Sequence, residues 1–259
     1  MNVNKDTINQ LLSSMKDYNL TANAFSEDVA KALMAVGLAI LGVVWYIEFA
    51  DLNRRFSTGA DDVKTTFWLR LAITYLVGMA LIMLGPQIID ALVWLNSAIG
   101  HLINNVKLDG GHGSANIPNI TKKAHGWEKF VIGWLQTCGN IFIWLDQIII
   151  NLLIFLRFLT LYIMKAAIPV MVALYASEEF KSISMGFFKQ VAALVIQSFL
   201  LVLIVKLYPV LINNDIFSVV ANGDVAQNIA AMFEVIVKGV VIMVTLIGSQ
   251  VMARRWMGV

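Results

Sequence analysis

The sequence predicts an all-α, polytopic membrane protein with about five transmembrane helices plus amphipathic interfacial helices. Hydrophobic residues make up 59% of the 259 positions and charged residues 14%, whereas soluble domains have about 45–50% and 25% respectively. Apolar runs of about 20 residues recur along the chain, and this is the length needed to cross a hydrocarbon core about 30 Å thick. Composition and run length therefore place the protein in a lipid bilayer.

Residues 1–27 are predicted to form an amphipathic N-terminal segment ahead of the first span. Its apolar residues recur at the spacing of one helix face: Ile8, Leu11, Leu12 and Met15. Such a helix can lie on a membrane face or against a partner, and an ordinary solvated helix fits the pattern as well. The first two transmembrane helices follow within 28–95, at 29–50 and 67–84.

The region 96–147 is predicted to be an outer-face segment with interfacial helices and a Gly/Asn-rich loop at 108–126. One amphipathic helix is expected at 87–106 and another at 127–146. The chain from 127 to 176 has no turn signal and is too long for one straight span, so the third span is expected to begin near residue 148. The two interfacial helices carry more apolar area than one chain of this size covers, so we expect a homo-oligomer with a collar of these helices.

A three-helix transmembrane core is predicted at 148–250, followed by a cytoplasmic tail at 251–259. Its fourth and fifth spans are expected at 187–208 and 226–249. The turn between the third and fourth spans is expected on the cytoplasmic side and carries three charged residues: Glu178, Glu179 and Lys181. Proline removes a backbone donor from a helix. Helix breaks are therefore expected at three positions: Pro86, Pro169 and Pro209.

Three charged residues fall deep inside the predicted spans. Arg157 in the third span and Glu234 in the fifth both lie about 12–14 Å from the outer face, at 1.5 Å per residue, with Lys238 one turn below Glu234. A charge at the bilayer centre costs about 2.5–3.5 kcal/mol, so these side chains should face protein or water. They form either an Arg157–Glu234 ion pair that fixes helix packing or the lining of a conduit. Three further lysines near span ends are expected to extend towards the interface: Lys165, Lys189 and Lys206.

Motifs for enzymatic chemistry are absent from the sequence. It contains no phosphate-binding glycine loop, no HExxH and no serine elbow. His112 and His125 lack cysteine or acidic partners at metal-ligand spacing, and the single Cys138 excludes an internal disulfide framework. We therefore expect no enzymatic activity, no catalytic or metal residues and no cofactor.

The C-terminal half resembles a known family of membrane proteins. The resemblance rests on four features: Phe155-Leu156-Arg157-Phe158-Leu159, Ala167-Ile168-Pro169, the small-residue run from Ala173 to Lys181, and Phe187-Phe188-Lys189-Gln190. Together they are similar to the TrbL/VirB-six type of polytopic inner-membrane subunit in type IV secretion and conjugation machines. The resemblance implies a scaffold of the translocation channel in a bacterial inner membrane, with no catalytic activity of its own. Its implied partners are further copies, other secretion membrane subunits and ATPases, and translocated single-stranded DNA or protein.

Two other function classes remain open from the sequence. A small ion channel or secondary transporter would also place charges in mid-membrane, although transporters often have repeated halves and no internal repeat is seen here. A phage-type membrane pore protein would fit the chain length. A conjugation ATPase and a coupling protein encoded next to this gene would favour secretion over both.

The basic residues predict the orientation, because Lys and Arg in short loops mark the cytoplasmic side. The loop at 51–66 holds Arg54, Arg55 and Lys64, whereas the only charged residues of the connection at 210–225 are Asp215 and Asp224. The N-terminus is therefore expected outside and the C-terminus inside.

Cysteine labelling tests this orientation. In a Cys138→Ser background, a membrane-impermeant thiol reagent added outside should label Ser114→Cys and Ser218→Cys but not Ser57→Cys, because Ser57 lies in the predicted cytoplasmic loop. Labelling of Ser57→Cys from outside would instead support a sixth span at 127–146, which reverses the orientation of everything before it.

Overall fold

The computed structural model describes residues 5–57, 65–106, 127–177, 179–214 and 225–258. Its helices in chain order are α1 Lys5–Leu12, α2 Met15–Tyr18, α3 Leu20–Ser57, α4 Thr65–Asn105, α5 Trp127–Tyr175, α6 Lys181–Asn214 and α7 Val225–Met257. No strand occurs in these ranges, and α3 to α7 are each long and apolar enough to cross a membrane. The predicted all-α, multi-pass membrane fold with five spans is confirmed.

The helices are less interrupted than the sequence predicted. Pro86 lies inside α4 and Pro169 inside α5, and α6 continues past Pro209 to Asn214. None of these prolines therefore ends its helix, since a proline removes only one backbone N–H from the helix.

The predicted boundary between an interfacial helix and the third span is also not seen. α5 is one helix of 49 residues, about 73 Å long at 1.5 Å per residue. Only part of it fits within a hydrocarbon core about 30 Å thick. The predicted tail likewise continues α7, which runs to Met257. Glu178 and the predicted Gly/Asn-rich loop at 108–126 lie outside the described residues.

The chain forms two compact units, each built from separate stretches of sequence. The first unit comprises Met1–Ser13, Asn96–Leu156 and Ile196–Arg255, and the second comprises Ser14–Leu95, Arg157–Val195 and Trp256–Val259. α4, α5 and α6 each contribute residues to both units. The units therefore do not follow the order of the chain.

In the second unit, α3 and α4 form an antiparallel hairpin. The rings of Phe49 and Trp68 are 5.4 Å apart between centroids, and those of Trp45 and Tyr75 are 5.9 Å apart. Further along, Leu41 packs against Gly78, where an added Cβ would lie 3.2 Å from the leucine Cδ1. The contacts therefore move to lower residue numbers on α4 as they move to higher residue numbers on α3, so the two helices run antiparallel.

One turn of α5 docks onto this hairpin through glycines. An added Cβ on Gly37 of α3 would lie 2.7 Å from the carbonyl oxygen of Pro169, and one on Gly85 of α4 would lie 2.9 Å from Cγ2 of Ile168. Small residues allow helices in a membrane to approach at this distance, and close packing there replaces the hydrophobic effect as the attraction between helices. The predicted Ala-Ile-Pro step is thus a packing contact.

α5 and α6 form a second antiparallel hairpin in the same unit. The Ser184 hydroxyl donates to the carbonyl of Met171 at 2.5 Å, and the rings of Tyr175 and Phe188 meet edge to face at 6.4 Å. In the connection between these helices, Glu179 is exposed, as is Lys181 at the start of α6. The charged turn predicted by the sequence therefore lies at the tip of this hairpin.

The N-terminal segment is buried by the chain itself. Leu11, Leu12 and Met15 are only 1%, 2% and 2% exposed. In the second unit, the ring of Tyr18 stacks on Phe158 at 3.9 Å, and burial raises the pKa of the Tyr18 hydroxyl. The apolar residues of this segment are therefore covered by other helices of the same chain, whereas the sequence led us to expect contact with a membrane face, a partner or solvent.

A glycine pair on α3 tests the docking contact. Gly37→Ala should destabilise the protein by about 1–3 kcal/mol, since the new methyl group overlaps the Pro169 carbonyl. Gly42→Ala is the matched control, because an added Cβ at Gly42 meets nothing within 4 Å, and it should be neutral or stabilising by up to about 1 kcal/mol. Unfolding in mild detergent measures both, and equal stability of the two variants would contradict the close contact.

Candidate functional site

Lys165 is the most fully buried charged residue in the described spans, and it lies at the centre of a cluster of four polar residues in the second unit. We call these four residues the lysine cluster: Asn23, Glu27, Asp90 and Lys165. Lys165 Nζ donates to Asp90 Oδ2 at 2.7 Å and Oδ1 at 2.8 Å, to Glu27 Oε1 at 2.9 Å and to Asn23 Oδ1 at 2.8 Å. The lysine side chain is 0% exposed. The cluster therefore links α3, α4 and α5 through one ammonium group.

The local sequence sets up these positions. The side chain of Asn19 accepts from the Ala22 N–H and so begins α3. Asn23 and Glu27 then lie one turn apart on the same face, and the Asn23 amide donates to Glu27 Oε1 at 2.8 Å. Because α4 runs antiparallel to α3, Asp90 returns to the level of these first turns.

The cluster carries more negative than positive charge. Two carboxylates face one ammonium, and their side chains are 39% and 41% exposed while the lysine is fully covered. An unpaired ammonium at the bilayer centre would cost about 2.5–3.5 kcal/mol. The ammonium nitrogen of Lys165 instead lies within 2.9 Å of four oxygens. This arrangement supports a rigid junction of three helices.

The prediction that Lys165 extends to the interface is wrong. Its partners lie 75 and 138 positions away in the sequence, so spacing along α5 gives no sign of them. In the sequence, Asp90 falls within the predicted interfacial helix at 87–106 and Glu27 at the end of the predicted N-terminal segment 1–27. Predicting that the carboxylates of Glu27 and Asp90 meet would have required knowledge of the antiparallel register of α3 and α4.

Arg157 also lies in the second unit and faces protein. It is 1% exposed, its Nε donates to the carbonyl of Leu194 at 3.3 Å, and its guanidinium lies 5.0 Å from the ring centroid of Phe158. Guanidinium groups are attracted to aromatic faces at this distance. Arg157 therefore joins α5 to α6 within the hairpin.

Glu234 and Lys238 belong to the first unit and form an ion pair one turn apart on α7. Their side chains are 11% and 18% exposed. The Tyr208 hydroxyl of α6 donates to the carbonyl of Lys238. The predicted ion pair between Arg157 and Glu234 stays a prediction, for a double-substitution cycle to test.

Two buried polar residues of the first unit were not singled out by the sequence. Asp146 of α5 is 2% exposed, and Gln197 of α6 is 3% exposed. Within the described ranges, Asp146 Oδ1 and Gln197 Nε2 have no hydrogen-bond partner. Over the same ranges, no group of three or more His, Cys, Asp or Glu side chains could hold a metal ion.

Substitutions in the lysine cluster test its role. Lys165→Met should destabilise the protein by about 3–5 kcal/mol, because it leaves two carboxylates close together without their cation. The triple variant with Glu27→Gln and Asp90→Asn should recover most of this loss, since no uncompensated charge remains. Unfolding in mild detergent measures both effects.

Lys31→Met is the matched control, because Lys31 pairs with Asp28 in an exposed contact at 3.4 Å. It should change stability by less than about 1 kcal/mol. If the triple variant is as unstable as Lys165→Met alone, the cluster is not held by charge pairing.

Comparison with known proteins adds no relative to this picture. No family model, no curated protein and no solved structure matches the chain.

Proposed function

We propose that this protein is a membrane scaffold subunit of a type IV secretion or conjugation machine in a bacterial inner membrane. It has no catalytic activity of its own, and ATP is hydrolysed by other subunits. Several copies assemble with other membrane subunits around the path of single-stranded DNA or protein. The sequence resemblance to the TrbL/VirB-six type supports this proposal.

The observation that carries the proposal is the packing of the residues that make up the resemblance. Ile168 and Pro169 meet glycines of α4 and α3, and Arg157 binds a carbonyl of α6. Phe188 meets Tyr175 at the tip of the same hairpin. These residues lie at helix junctions, which supports a scaffold role, because a scaffold depends on the contacts that fix its helices.

The exposed apolar surface supports assembly with lipid and with other chains. Large side chains on α4 and α5 are widely exposed, with Leu102 at 70%, Trp127 at 78% and Phe130 at 67%. Exposed apolar patches of this kind mark membrane or protein interaction surfaces. The collar predicted for these helices remains part of the proposal.

A small ion channel is the second candidate. The unpartnered oxygen of Asp146 inside a span favours it, since buried ionisable groups in membranes mark ion or proton paths.

Gene deletion separates the two candidates. In the host that carries the gene, an in-frame deletion should reduce conjugative transfer of a mobilisable plasmid to background while growth is unchanged. Expression of the wild-type chain or of Gly42→Ala should restore transfer, because an added Cβ at Gly42 meets no neighbour within 4 Å. A tagged chain should also co-purify with a secretion ATPase in mild detergent. Unchanged transfer together with absence of that ATPase would contradict the proposal.

A further inference from the structure

α1 is held in a polar groove of the first unit. This α1 seat is formed by Ser97 and Gly100 of α4, Gln147 of α5 and Ser198 of α6. Gln147 Nε2 donates to Thr7 Oγ1 at 3.1 Å, and the Ser198 hydroxyl donates to the carbonyl of Leu11 at 3.3 Å. The α1 helix therefore contacts three long helices in one place.

The end of α1 fits a gap left by a glycine. Leu12 is 2% exposed, and an added Cβ on Gly100 would overlap its Cδ2. The Ser97 hydroxyl, three residues earlier on α4, donates to the Leu12 carbonyl. Leu12 thus closes the seat sterically while Ser97 satisfies the carbonyl at the end of the helix.

Without α1, the seat would expose polar side chains that have no hydrogen-bond acceptor in the membrane interior. Ser97, Gln147 and Ser198 would then each lose the acceptor that α1 provides. Polar side chains in the interior of a membrane protein need protein or water partners, so an empty seat would fill with water.

The connection to α2 allows α1 to move as a separate piece. Ser13 and Ser14 are not helical, and the Ser14 hydroxyl accepts from the Asp17 N–H at 3.2 Å and so begins α2 independently. α1 has eight residues, and helices of this length are marginal without packing. Leaving the seat therefore requires no unwinding of α2.

We infer that α1 is a plug that keeps a polar passage among α4, α5 and α6 closed to water and small hydrated cations. When α1 leaves the seat, the hydroxyl and amide groups that bound it line a wet path within the first unit. This inference goes beyond the proposed function, and it concerns the isolated protein whether or not the protein serves a secretion machine.

Thiol labelling of the full chain in phosphatidylcholine/phosphatidylglycerol vesicles tests the plug. In a Cys138→Ser background, Ser198→Cys reports wetting of the seat through its reaction with a small water-soluble thiol reagent. Leu12→Asp should raise this rate about tenfold or more, because a carboxylate would lose its solvation at the buried position of Leu12. Potassium efflux from the vesicles should rise with it. Gly100→Leu, which fills the place of Leu12, should produce the same two changes.

Two controls distinguish unplugging from unfolding. Gln10→Asp adds a carboxylate to the exposed face of α1 and should change neither rate. Ser249 on α7 is 1% exposed, and its hydroxyl donates to the carbonyl of Leu246 in the same helix. In the Leu12→Asp variant, a cysteine at this position (Ser249→Cys) should therefore stay protected from the thiol reagent. An unchanged Ser198→Cys rate in both unseating variants, an equal rise at Ser249→Cys, or wetting without potassium efflux would overturn the plug. None of these outcomes bears on the proposed role in secretion, which the plasmid-transfer experiment tests separately.

Discussion

The ammonium group of Lys165 is the interaction on which the rest of the second unit depends. Its four oxygen contacts come from two other helices, and its side chain is completely covered. In a bilayer, no water is present to solvate a charge that loses its partner. The register of α3 against α4 is therefore fixed by chemistry as well as by shape, since a shift of one helix along the other would draw Glu27 or Asp90 away from the ammonium group that binds both.

The glycine contacts act on the same turn of α5 and strengthen this junction. Lys165, Ile168 and Pro169 lie within five residues, and they meet ion partners, Gly85 and Gly37 respectively. A membrane helix gains little from the hydrophobic effect against another helix, so close packing and polar contacts determine which faces meet. One turn thus combines both kinds of contact, which is consistent with a scaffold that holds its shape while larger partners assemble on it.

The first unit has a different character. Its interior holds the seat of α1, the Glu234–Lys238 ion pair and a buried Asp146. The second unit holds a rigid junction of helices, whereas the first unit has polar groups around α1. A membrane subunit of this kind can keep its helices fixed in one unit while one short helix of the other unit moves. The proposed plug places that movement in a helix of eight residues.

The sequence by itself determined the fold class, the five spans and the presence of a charged turn between the third and fourth spans. These follow from composition and from the length of apolar runs, which a bilayer constrains directly. It did not determine where helices end, because Pro86, Pro169 and Pro209 all lie inside helices. Nor did it reveal the partners of Lys165 or the burial of Leu11 and Leu12. Both depend on the register between helices, and only the tertiary structure decides that.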